Sequence, residues 1–102
     1  MSLRAVGVRV VDARTGKPVP GATIRSTLLR TRDSLPRGAT ETTPGDYLVA
    51  EDGTIPGLTR AGERLRITAS LGSRRVSARY VLGLDAGGCH VELRGPKELR
   101  LP

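Results

Sequence analysis

Arg64-Leu65-Arg66-Ile67-Thr68-Ala69-Ser70-Leu71-Gly72-Ser73-Arg74-Arg75-Val76-Ser77-Ala78-Arg79-Tyr80-Val81-Leu82 is the stretch that decides the fold. Apolar and polar residues alternate through both of its halves. Leu65, Ile67, Ala69 and Leu71 share one face of the first half, and Val76, Ala78, Tyr80 and Leu82 share one face of the second. A period of two is the mark of a half-buried strand. Gly72-Ser73 lies between them and suits a two-residue type II′ turn with glycine at its first central position. Closing the chain there pairs Ala69 with Val76, Ile67 with Ala78 and Leu65 with Tyr80. Every inward residue then meets an inward residue, an agreement that a slip of one residue would destroy. The same register sets Arg66 directly opposite Arg79.

The alternation extends outward from this hairpin. Val6, Val8 and Val10 share a face in residues 4–12, as do Ala22, Ile24, Ser26 and Leu28 in residues 22–29. Residues 13–21 hold two glycines and two prolines and read as a turn-rich connection. Residues 30–38 are polar, carry Pro36 and Gly38, and read as a loop. Residues 39–43 form a weak strand of alternating threonines, and Pro44-Gly45 turns the chain into a strand over 46–51. A second loop runs from Asp52-Gly53 to about Gly62. After a glycine-rich connection over 83–88 come strands over 89–94 and 97–101, separated by Gly95-Pro96. No stretch of ten residues shows a helical period. The expectation is all-β: a single domain over 1–102, an antiparallel Greek-key β-sandwich of about seven strands with an aliphatic core.

Composition fits one small folded domain. The chain has 102 residues, 37% of them hydrophobic and 26% charged, close to average globular usage. Its apolar runs are far shorter than the roughly 18–20 residues of a membrane helix. The start carries no charged-then-apolar leader, and Met1-Ser2-Leu3 is compatible with a cloning remnant in place of a removed signal peptide.

The formal net charge is +7, and nearly all the bases are arginine. This balance suits an acidic protein, a polyanion or an anionic lipid, and it also suits a GC-rich genome with no functional meaning. The only aromatic residues are Tyr47 and Tyr80, so no stacking platform for single-stranded bases can be built. Asn and Gln, which read adenine, are absent. Sequence-specific nucleic-acid recognition is therefore not expected. The candidate partner surface is the outward face of the hairpin, carrying Arg64, Arg66, Arg75 and Arg79. Four such contacts to a phosphate strand would give a slope of about −2.8 in log K against log salt. The competing reading is a solvated face whose charge discourages aggregation.

No catalytic or metal constellation stands out. Cys89 is the single cysteine and His90 the single histidine. Alternation over 89–94 turns Cys89 toward the core with Val91 and Leu93, and His90 toward solvent with Glu92 and Arg94. Neighbours on a strand point to opposite faces, which suits neither a shared metal nor a nucleophile–base pair. Asp46, Glu51, Asp52 and Asp85 would make a calcium site only if their loops converged. The 83–88 loop has no helix after it, so it reads as a strand connection and not as a phosphate cradle.

Val10-Val11-Asp12-Ala13-Arg14-Thr15-Gly16-Lys17-Pro18-Val19-Pro20-Gly21-Ala22-Thr23-Ile24 resembles the opening of carboxypeptidase regulatory-like domains, which have a transthyretin-like (prealbumin-like) sandwich of seven strands. Gly45-Asp46-Tyr47-Leu48-Val49 matches the Gly-x-Tyr-x-Val element of that family. The resemblance implies a non-catalytic structural or protein-interaction module, extracytoplasmic, with no cofactor, and accessory to a cell-envelope or secreted system. Edge-strand pairing into a homodimer is open to such a fold. A polyanion-binding surface domain is the alternative. The transthyretin-like hydrolases form a third, disfavoured reading. They use two histidines, an arginine and a Tyr-Arg-Gly-Ser tail, whereas no histidine precedes His90 and the chain ends Leu99-Arg100-Leu101-Pro102.

Overall fold

A computed structural model describes residues 4–35 and 39–102. The expectations for Met1-Ser2-Leu3 and for Pro36 to Gly38 lie outside the described residues. Eight strands follow in order: β1 (Ala5–Asp12), β2 (Thr23–Leu28), β3 (Thr40–Thr43), β4 (Asp46–Glu51), β5 (Glu63–Leu71), β6 (Arg74–Leu84), β7 (Val91–Arg94) and β8 (Glu98–Leu101). They form two four-stranded sheets, β3-β4-β1-β8 and β2-β5-β6-β7. The molecule is a β-sandwich, and its described residues contain no helix.

The β5–β6 hairpin has the expected register. Leu65 pairs with Tyr80, Ile67 with Ala78, Ala69 with Val76, and Arg66 with Arg79. Gly72 has φ +63° and Ser73 is not among the residues of positive φ, as a type II′ turn requires. Leu65, Ile67, Ala69 and Leu82 are fully buried, and Val10, Leu99 and Leu101 of the facing sheet meet them in one core. Each buried Leu, Ile or Val among them contributes about 1.5–3 kcal/mol through burial.

Two features depart from the expected plan. The strands number eight rather than about seven: Thr40–Thr43 pairs with β4 across a register shift between Glu41 and Thr43, and Glu98–Leu101 pairs with β1 along its length. One pairing is parallel, that of β1 with β8. The last strand enters beside β1 from the opposite sheet, and a crossover allows a parallel neighbour where a hairpin does not.

The Asp12 and Tyr47 elements both act on the β1–β2 connection. Asp12 Oδ1 accepts the Arg14 and Thr15 N–H groups at 2.8 and 3.0 Å, closing the turn. Its Oδ2 holds the Arg74 guanidinium at 2.6 Å. The turn N–H groups of Thr15 and Arg14, and then Arg74, hold the carboxyl down at about 2. The buried Tyr47 donates its hydroxyl to Val19 O at 2.7 Å and accepts the Ala22 N–H at 2.9 Å. Beside it, Glu41 accepts N–H groups from Gly45 and Gly21.

The expectation for Cys89 is corrected. β7 begins at Val91, not at 89. Gly88 has φ +71° and closes a turn to Asp85 O, and the Asp85 carboxylate accepts the Cys89 N–H at 3.2 Å. Cys89 therefore lies in a bend and is exposed. Parity counted from Val91 does not reach it. His90 is likewise not free in solvent but half-buried against Asp52.

Candidate functional site

The outward face of the β2-β5-β6-β7 sheet gathers the candidate arginines. Register places its residues in rows across the strands. The first row is Thr23, Ser70, Arg75, and the second Arg25, Thr68, Ser77. The third is Thr27, Arg66, Arg79. In the fourth, Leu29 donates its N–H to Arg64 O at 2.9 Å, Arg64 pairs with Val81, and Val81 with Arg94. Glu92 stands beyond, opposite Gly83. All of these face outward because side chains two residues apart on a strand share a face.

Arg64, Arg66, Arg75 and Arg79 are thus brought together on one surface, and all four are exposed. Sequence reasoning missed Arg25 and Arg94. Each has the outward parity of its own strand, so the local signal existed. What the sequence does not reveal is that β2 lies beside β5, since that pairing joins strands remote along the chain.

Six arginines and one glutamate give this face a net charge of +5, most of the +7 of the chain. Arg94 bonds Glu92 at 3.3 Å. Among the described residues no carboxylate bonds Arg25, Arg64, Arg66, Arg75 or Arg79. Acids elsewhere are engaged with other bases: Asp46 with Arg9, Glu63 with Arg30, Asp12 with Arg74. Two like charges 4 Å apart in water repel by about 1 kcal/mol, so the cluster is a standing source of attraction for anions.

The face has two concavities of different chemistry. One of about 240 Å³ is polar, lined by Thr23, Arg25, Thr68, Ser70 and Arg75. Beside it the Thr68 and Ser77 hydroxyls bond each other at 2.8 Å. The other, of about 300 Å³, is lined by Leu29, Arg64, Arg79, Tyr80, Val81 and Arg94. The arginine and hydroxyl groups offer charge-assisted and neutral donors to carboxylate, phosphate or sulfate oxygens.

A roomier cleft of about 510 Å³ runs along β1 and β7, past Val6, Val8 and Leu93. Arg9 and Asp46 on its wall are bonded to each other at 3.0 Å.

The single histidine belongs to a clamp. Its Nδ1 lies 2.7 Å from Asp52 Oδ2, which also accepts the Arg4 N–H at 2.9 Å. Asp52 Oδ1 accepts the Val91 N–H at 2.7 Å. The His90 hydrogen bond, then the N–H groups of Arg4 and Val91, hold the Asp52 carboxyl at about 2. This joins the loop after β4 to the starts of β1 and β7. Of the acids Asp46, Glu51, Asp52 and Asp85, Asp52 and Asp85 converge on the segment around His90 and spend oxygens on its backbone N–H groups. Asp46 is held apart by Arg9 and Thr43.

These observations define an all-β sandwich with one strongly basic outer face. No protein-family model, no curated protein and no solved structure matches this chain. Among the described residues no helix is long and apolar enough to cross a membrane.

Proposed function

We propose that this chain is a non-catalytic binding module that docks an acidic protein partner on the outer face of its β2-β5-β6-β7 sheet. The observation that carries the reading is the row order of that face. Five of its arginines bond no carboxylate among the described residues, and four of these, Arg25, Arg66, Arg75 and Arg79, stand in rows with threonine or serine hydroxyls. A merely solvated face needs no such concentration, and it bears the cost of Arg66 opposite Arg79. The resemblance of the Val10 to Ile24 segment to carboxypeptidase regulatory-like domains supports an accessory module of the extracytoplasmic kind. Self-association through this face is disfavoured, since each copy brings five net positive charges.

The test is a titration of isotope-labelled protein with polyglutamate at low and high salt, followed by backbone amide shifts. Shifts on β2, β5 and β6 that fade at high salt are the expected result. A triple variant Arg25→Ser, Arg66→Ser, Arg75→Ser is expected to lose them while keeping dispersed peaks. Unmoved peaks at low salt, or shifts on the β3-β4-β1-β8 sheet instead, overturn the reading.

A further inference from the structure

Val81 occupies an unusual position on the basic face. It is half-buried, with Arg64 beside it on β5 and Arg94 beside it on β7. Arg79 precedes it by two residues on β6 and shares its face. Gly83 follows by two and has no side chain of its own to fill that side. The Arg94 guanidinium lies over that glycine: a Cβ at Gly83 would meet both terminal nitrogens of Arg94 at 3.1 Å. Arg94 NH2 also donates to Leu84 O at 3.0 Å, which fixes the guanidinium at the rim. Leu29, half-buried, ends the row on the far side of Arg64. The concavity of about 300 Å³ therefore has an aliphatic floor and a rim of three arginines, of which Arg94 already bonds Glu92, while Arg64 and Arg79 bond no carboxylate among the described residues. That volume is at the small end of ligand-sized clefts, about 300–1,000 Å³.

The two ends of the face thus differ. Around Arg25 and Arg75 the neighbours are hydroxyls, suited to an anion alone. Around Val81 an anion alone would leave aliphatic surface against charge and water. Nor does the face stack bases or sugars, because both tyrosines are buried with their hydroxyls bonded to Val19 O and Pro96 O. Strand neighbours stand about 4.8 Å apart, so the backbones at Arg64 and Arg94 are about 10 Å apart with Val81 between them. Carboxylates flanking an aliphatic side chain fit that spacing.

Resting on the reading of the basic face above, we propose that the Val81 concavity binds an acidic peptide segment of the partner, one that seats an aliphatic side chain on Val81 and Leu29 between carboxylates held by Arg64, Arg79 and Arg94. The apolar contact supplies the selectivity and the arginines supply the attraction.

Three probes on the full chain separate this inference from the reading it rests on. They are a glutamate-rich peptide with a central leucine, the same peptide with serine in its place, and inorganic polyphosphate. The leucine peptide is expected to bind about tenfold tighter than the serine peptide, from partial burial of one aliphatic side chain. Val81→Ser is expected to abolish that difference and to leave polyphosphate binding unchanged, with peak dispersion checking the fold. Equal binding of both peptides by the native chain overturns the inference and leaves the basic face standing. Polyphosphate bound far more tightly than either peptide also overturns it, in favour of a phosphate polymer. No binding of any probe at low salt overturns both.

Discussion

Arg66 and Arg79 are register partners across the β5–β6 hairpin, on the same outward face, and among the described residues no carboxylate bonds either. Directly opposed residues of a strand pair have Cβ atoms about 4.5–5.5 Å apart, and like charges there destabilise the pair. The sequence tolerates this at the centre of its most regular element. Arg79→Glu is accordingly expected to raise stability by about 0.2–1 kcal/mol, through a cross-strand ion pair with Arg66. Urea unfolding measures it, with the slope unchanged. The same variant is expected to bind polyglutamate more weakly. A less stable variant would show that the repulsion is not felt in the folded chain.

Tyr47→Phe is expected to cost about 1–3 kcal/mol, because it removes the donor to Val19 O and leaves the Ala22 N–H without its acceptor. Hydrogen exchange localises the effect: the Ala22 amide should lose protection first. An unchanged unfolding midpoint would mean that the hydroxyl does not anchor the β1–β2 connection.

Acid should loosen the clamp at Asp52. Its carboxyl is held at about 2 in the fold against an ordinary 3.8. A depressed folded-state pKa contributes stability above the ordinary value and loses it as pH falls through the folded value. The contribution from Asp52 is thus complete above about pH 4 and fades between 3.8 and 2. Asp12, also held at about 2, behaves alike. Asp52→Asn should reduce stability at pH 7 and flatten its decline across that acid window. A decline as steep as the native chain's would assign the acid sensitivity to other carboxylates.

Cys89 is exposed, with its thiol turned to Gly87 O at 3.5 Å. A maleimide reagent is expected to label the native protein stoichiometrically without denaturant, leaving peak dispersion intact. Labelling that requires urea would return Cys89 to the core, where strand alternation alone puts it.

Much of the architecture was legible in local pattern. Strand alternation in 64–82 and the Gly72-Ser73 turn specify a register because a one-residue slip exchanges the two faces. Four arginines of the candidate surface follow from the same parity. The hexad was not legible, because Arg25 and Arg94 join only when β2 takes its place beside β5, and β7 beside β6. Cys89 was misread because an Asp85 carboxylate and a positive φ at Gly88 end the connection two residues later than alternation implies.

By itself the sequence determined the all-β class, the central hairpin and its opposed arginines. Period two, turn chemistry and short-range closure are local properties, and they need no knowledge of distant neighbours. Tertiary structure alone decided the parallel seating of β8 against β1, the exposure of Cys89 and the His90–Asp52 clamp. It also decided the row Leu29, Arg64, Val81, Arg94, which assembles residues of three strands and the residue that follows β2. Such a row depends on which strand edges meet, and burial of the whole core selects those partners rather than any one segment.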